Sequence, residues 1–125
     1  MNIPSNLKFS QSDEWFDAAS GKMGLSDYAQ NQLSDIVFVE LLVEEGDEVE
    51  AGTAIASVES VKASAEVYAT AAGTVSAVNE DLANEPEKIN SDPYGEAWLV
   101  QVDGGKEGDL MDAAAYEKYC EERDH

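Results

Sequence analysis

The sequence predicts a mainly β fold of short strands, with a short helix in the N-terminal half and another at the C-terminus. Three observations carry this prediction. Short stretches rich in β-branched, small and aromatic residues recur, roughly alternating and bounded by turn residues. Two glycine-punctuated turns, Gly46-Asp47-Glu48-Val49-Glu50-Ala51-Gly52 and Ala72-Gly73-Thr74-Val75, flank a candidate hairpin whose reversal carries a lysine, Lys62. Helix-start signals stand at Ser26 and Asp112. A chain of 125 residues with 43% hydrophobic content has apolar material for one core, so a single domain over 1–125 is expected.

Taken in order, Leu7-Lys8-Phe9 and Glu14-Trp15-Phe16 are expected strands joined by a polar turn. Ser26 caps a helix over Asp27 to Leu33, with Asp27 favourable in its first turn. Asp35 to Val43 is strongly apolar and predicts a central strand buried on much of both faces. Glu44 to Ala51 is an acidic connector. Strands follow at about Thr53–Glu59, Ser64–Tyr68 and Gly73–Val78, and Leu82 to Ile89, with Pro86, is a loop or short helix. Glu96 to Val102 is a strand fixed by Trp98, Leu99 and Val100, and Gly104 to Gly108 a flexible link. Asp112 caps a final helix over Ala113 to Arg123, where Tyr116 and Tyr119 are expected to pack on the strands.

The hairpin tip Val58-Glu59-Ser60-Val61-Lys62-Ala63 is the most informative segment. Only 7 Lys and Arg occur in the chain, so a basic residue at a rigid reversal calls for a reason. A lysine acting as base or Schiff-base former needs burial or cationic neighbours. Lys62 has Glu59 and Glu66 nearby in sequence instead. It is a poor nucleophile alone and a suitable substrate for acylation by another enzyme.

The lysine tip between two glycine turns resembles the lipoyl/biotinyl carrier fold, a hybrid barrel-sandwich with the modified lysine on an exposed hairpin. Biotin acceptors set Met on both sides of the lysine; Val61 and Ala63 here favour lipoate. Further segments extend the likeness: Gly24-Leu25-Ser26-Asp27-Tyr28-Ala29-Gln30, Asp35-Ile36-Val37-Phe38-Val39-Glu40-Leu41, Val78-Asn79-Glu80, and Ile89-Asn90-Ser91-Asp92-Pro93-Tyr94-Gly95-Glu96-Ala97-Trp98-Leu99. With Glu59-Ser60-Val61-Lys62-Ala63 they resemble, from about Leu7 to Glu122, the H protein of the glycine cleavage system.

That resemblance implies a non-catalytic carrier with lipoate attached to Lys62, shuttling an aminomethyl group. It implies three enzyme partners: a pyridoxal-phosphate glycine decarboxylase (P protein), a tetrahydrofolate-dependent aminomethyltransferase (T protein) and a flavin dihydrolipoyl dehydrogenase (L protein). A lipoate ligase or lipoyl/octanoyl transferase would modify Lys62, reading Glu59, Ser60, Val61 and Ala63. In the family the loaded arm folds into a cleft formed by the N-terminal strands and the helix at Gly24–Gln30. Ser12 and Glu14 match a Ser-His-Glu-Trp stretch, which makes Glu14 the best candidate for the carboxylate facing the cargo's ammonium; a solvated strand-edge glutamate is the equal alternative. Trp15 is expected in the core. Tyr28 and Glu66 complete the expected cleft, Glu66 standing where some relatives have Asp.

The chain also departs from the family pattern. Asp13 replaces the usual histidine before Glu14, Tyr28 stands where some relatives have a second histidine, and Ala97 where a Gly often precedes the Trp. All three are expected around the cleft. These departures leave open an H-like lipoyl carrier of another pathway, such as sulfur oxidation or lipoate relay. A third class, an enzyme using Glu14 and Glu66 as acid and base, lacks an accompanying nucleophile or metal cluster.

Composition bounds the partners. The formal net charge of −20, from 27 Asp and Glu, argues against nucleic acid and anionic membranes. It suits transient docking on basic protein surfaces, or a salty cytoplasm. No run of 18 apolar residues or signal peptide is present, so a cytoplasmic monomer is expected. Cys120, alone, makes no internal disulfide and is expected as a partly buried packing residue. No metal site is expected at His125, and the carboxylates lack calcium-loop spacing.

Overall fold

The computed structural model describes residues 2–123; His125 and the expectation attached to it lie outside them. Two antiparallel sheets face each other. The larger has six strands in the order β1 (Lys8–Phe9), β2 (Glu14–Asp17), β3 (Lys22–Leu25), β9 (Val100–Glu107), β8 (Ala71–Val78) and β5 (Glu48–Val49). The smaller has three in the order β4 (Ile36–Leu41), β6 (Ala54–Ser60) and β7 (Ser64–Tyr68). Helix α1 (Asp27–Leu33) joins β3 to β4, and α2 (Lys88–Ser91) lies between β8 and β9. Helix α3 (Ala113–Arg123) closes the described chain. No helix among the described residues is long and apolar enough to cross a membrane.

Ile55 and Val58 of β6 and Val67 of β7 are buried in one core with Val75, Val100 and Val102 of the larger sheet. A second cluster forms under α3, where Leu7, Phe9, Trp15, Tyr28, Tyr116 and Cys120 pack together. Phe9 and Tyr116 stack there with ring centroids 4.5 Å apart. Both expected caps form: Ala29 N–H donates to Ser26 Oγ at 3.1 Å, and Ala115 N–H to Asp112 Oδ1 at 2.8 Å. Cys120 is wholly buried rather than partly so.

Several expectations are corrected. The apolar run at 35–43 is an edge strand, paired only with β6. A register shift between Ile36 and Phe38 turns Val37 and Phe38 outward, 54% and 46% exposed, while Ile36 and Val39 stay buried. The acidic connector contains β5, which pairs with β8. The strand expected over 96–102 begins only at Val100, because Asn79 Nδ2 donates to the carbonyls of Glu96 and Trp98, both at 2.8 Å, taking acceptors that a ladder would use. The supposed flexible link then belongs to β9, with Lys106 and Glu107 opposite Ala72 and Ala71. The segment at 82–89 divides into a 3₁₀ turn at Glu80–Ala83 and the start of α2.

Candidate functional site: a lysine hairpin and a cleft with a buried carboxylate

The β6–β7 ladder runs to the pair Glu59 and Ser64, leaving Ser60 to Ala63 as the tip. One hydroxyl organises it. Ser60 Oγ accepts from the N–H groups of Lys62 (3.2 Å) and Ala63 (3.0 Å) and donates to Ala63 O (3.1 Å), so its hydrogen-bonding capacity is used in full. Ser60 N–H also donates to Ala63 O at 2.7 Å, and Val61 N–H ties the tip to Asp35 O at 3.1 Å. Lys62 is exposed and makes no ion pair among the described residues. Val61 beside it is 67% exposed. Glu59 and Ala63 are exposed as well, so of the four residues expected to be read by a modifying enzyme, Ser60 is the one whose side chain shapes the turn.

From this tip the outer face of β7 presents Ser64, Glu66 and Tyr68, as period-two alternation requires. Together with Ser57 they line a groove of about 460 Å³. At Tyr68 the groove meets a cleft of about 670 Å³. Its walls are the β1–β2 loop (Ser10, Ser12), the β7–β8 connection (Tyr68, Thr70), the turn after β9 and Tyr119 of α3. Close packing of Gly108 on that turn excludes a side chain, since a Cβ there would stand 2.7 Å from Ala51 Cβ.

Glu14 lies directly beneath the β1–β2 loop. It is 1% exposed, which rules out the solvated strand-edge glutamate. Its Oε1 accepts from Ser10 Oγ (2.6 Å) and Ser12 Oγ (2.5 Å), and its Oε2 from Tyr68 N–H (3.2 Å). No cation pairs with it among the described residues. Burial raises its pKa above the ordinary carboxylate value; the three hydrogen bonds oppose this, and the charge of Asp13 adds to it. Ser10 and Ser12, which line the cleft, are thus the groups that stand between it and the buried carboxylate.

The structure therefore brings Ser12 and Glu14 together and sets Glu66 on the groove leading to them. Tyr28 is corrected: it is 7% exposed beneath α3, its ring 4.3 Å from the Arg123 guanidinium, and it does not line the cleft. The other two departures are likewise not on the cleft wall. Ala97 is buried beside Trp15. Trp15 is core, as expected, with its indole N–H donating to Pro93 O at 2.9 Å. Gly24 opposite it keeps room for the ring, since a Cβ would meet Trp15 Nε1 at 3.0 Å. Asp13 turns its carboxylate toward Arg123.

Ser10, Tyr68, Thr70 and Arg123 were not anticipated. The alternation Ser64, Glu66, Tyr68 was a usable signal for Tyr68, and the spacing of Ser10, Ser12 and Glu14 for Ser10.

Comparison with known proteins agrees with this architecture. The family model described as glycine cleavage H-protein matches residues 7–123. A glycine cleavage system H protein of Deinococcus radiodurans is 52% identical over 114 residues, covering 91% of this chain and 93% of the relative. A probable glycine cleavage system H protein of Halobacterium salinarum is 44% identical, covering 82% of each. The crystal structure of a glycine cleavage system H protein from Mycobacterium marinum superposes with a TM-score of 0.85 at 32% identity, covering 98% of this chain and all of that one.

Proposed function

The chain belongs to the glycine cleavage H-protein family, and on that premise we propose that it works through lipoate attached to Lys62 and a cargo seat above Glu14. The protein is a non-catalytic carrier. It takes an aminomethyl group from glycine decarboxylase, the P protein, and delivers it to aminomethyltransferase, the T protein, with the L protein, dihydrolipoyl dehydrogenase, as third partner. The reading as a carrier of another pathway is not favoured by a relative of 52% identity bearing the glycine cleavage name.

The residues fit the absent group. Lys62 is an exposed amine on a hairpin stiffened by Ser60, and a groove along β7, lined by Ser64, Glu66 and Tyr68, shares Tyr68 with a cleft beside the buried Glu14, which no cation pairs with among the described residues. That last feature is the observation on which the proposal rests. Lipoate, once bound, supplies a disulfide on a long arm able to take up and give up the aminomethyl cargo. The chain supplies position and shelter. In this reading the outer face of β7 guides the arm past Glu66, and Ser10 and Ser12 meet the cargo's ammonium. Glu14 beneath them balances its charge, while Tyr68, Tyr119 and the loops hold back water.

The same reading takes Glu59, Val61 and Ala63 as the surface met by a lipoate ligase or lipoyl/octanoyl transferase, with Ser60 holding them in place. It takes residues 1–125 as one domain and the carrier as a cytoplasmic monomer, meeting basic partner surfaces transiently, as its net charge of −20 suits. Intact-mass analysis of protein from its native cell tests the central point. Wild type is expected to carry one lipoyl group and Lys62→Arg none; a lipoyl mass on the Arg variant would refute the assignment.

A further inference from the structure

The loop that carries Ser12 and Glu14 also carries Asp13, and Asp13 faces the other way. Its backbone is left-handed, φ 76°, a conformation that Asp and Asn tolerate better than other side-chain-bearing residues. The loop is closed on both sides of it: Ser10 N–H donates to Glu14 O at 2.9 Å and Asp13 N–H to Ser10 O at 3.1 Å. With the reversal placed there, Ser12 and Glu14 share one side, their Oγ and Oε1 2.5 Å apart, and the Asp13 carboxylate emerges on the opposite side.

There it meets α3. Arg123 Nη2 donates to Oδ1 at 2.5 Å and Nη1 to Oδ2 at 3.1 Å, a fork-to-fork pair. Tyr116 O–H donates to the same Oδ1 at 2.8 Å. The guanidinium is stacked between the rings of Tyr28 and Tyr119, at 4.3 and 4.1 Å. Tyr119 in turn lines the cleft and donates its O–H to Gln11 O at 3.2 Å, again on the same loop. One ion pair thus joins the two walls between which the cargo seat lies.

We propose that Asp13 and Arg123 are positioning residues for the cleft: their pairing locks the β1–β2 loop in the conformation that presents Ser12 and Glu14, and holds Tyr119 as the facing wall. The role is exerted through Glu14 and rests on the cleft reading above. It also gives two departures from the family pattern a common purpose, since Asp13 and Tyr28 are both partners of Arg123.

The test uses the full chain with two variants. Asp13→Asn keeps a residue suited to the left-handed turn and removes the charge; Arg123→Lys keeps a charge and removes the fork. In unlipoylated protein, the Tyr68 amide, which donates to Glu14 Oε2, is expected to exchange with solvent about tenfold faster in Asp13→Asn, and less so in Arg123→Lys, with amides of β6 unchanged. In loaded protein without the folate enzyme, formaldehyde or ammonia release is expected to rise about tenfold in Asp13→Asn. A Glu14→Ala background should show no further rise. A general loss of stability would quicken exchange throughout β6 as well, and would add to the Glu14→Ala effect; either result overturns the proposal. So does wild-type Tyr68 exchange in both variants. If loaded wild type releases cargo as fast as free aminomethyl-lipoamide, the cleft reading fails, while Tyr68 exchange still decides whether the clamp orders the loop.

Discussion

The Lys62 hairpin and the Glu14 loop are both tight chain reversals, yet they are held in opposite ways. The hairpin tip is shaped by contacts within three residues, nearly all through Ser60 Oγ, with a single tie to Asp35. The Glu14 loop adds to its local bonds partners far along the chain: Tyr68 54 residues away and, through Asp13, Arg123 110 residues away. The difference follows from what each offers. A lysine that separate enzymes must reach needs exposure and local stiffness. A carboxylate that shelters a cation needs water excluded, and only distant parts of the chain, folded together, exclude it.

The sharpest break in this comparison is Lys62→Arg. Arginine keeps the positive charge and has no acylatable amine, so reconstituted glycine cleavage is expected to fall to background while the thermal melt stays at the wild-type temperature. A lowered melt would mean that Lys62 also serves the fold. Next comes Glu14→Ala, which leaves lipoylation at its wild-type rate and speeds release of the aminomethyl cargo. Loss of one charge-assisted contact of at least about 1.4 kcal/mol predicts roughly tenfold or more. Equal release rates would show that the buried carboxylate does not guard the cargo.

At the hairpin, Ser60→Ala removes both hydroxyl acceptor contacts and the donor to Ala63 O. A loss of about 1 kcal/mol from the ordered tip predicts lipoylation slowed several-fold with the core intact. Glu59→Ala, an exposed change worth no more than about 0.5 kcal/mol to folding, slows lipoylation only if the ligase reads that carboxylate. Unchanged initial rates in both variants would detach modification from the shape of the tip.

The smallest expected effect is a pH dependence. Glu14 has a raised pKa in the folded protein, chiefly through burial. Between its ordinary value of 4.5 and that raised value the folded state holds the proton more tightly than the unfolded one. Stability from this group is therefore lost as pH rises through that window. The melting temperature of Glu14→Gln, relative to wild type at each pH, is expected to climb as pH is taken from about 4 to 7. Parallel profiles would mean that the carboxylate is not desolvated.

Legibility in the sequence divides along the same line. The hairpin and the Ser26 and Asp112 caps were readable because the residues that cause them are neighbours or near neighbours. The edge position of β4 was not: Ile36 to Leu41 is as apolar as a central strand, and only the register shift against β6 shows that Val37 and Phe38 face out. The late start of β9 depends on Asn79, 21 residues before Val100, spending its amide on two carbonyls. At the site, Ser12 and Glu14 were found as a pair. Arg123 was not, since nothing near the C-terminus announces a partner in the first hairpin.

The span between Lys62 and Arg123 also sets an order of events during synthesis. In a chain leaving the ribosome N-terminus first, β4, β6, β7 and the lysine tip are made before the sixty residues (63 to 122) that separate that lysine from the last anchor of the cleft. The smaller sheet, with every residue that shapes the tip, precedes residue 69. Because the inner face of that sheet shares its core with Val75, Val100 and Val102, the mount of the lysine is complete once β9 is made, whereas the loop bearing Glu14 waits further for Arg123.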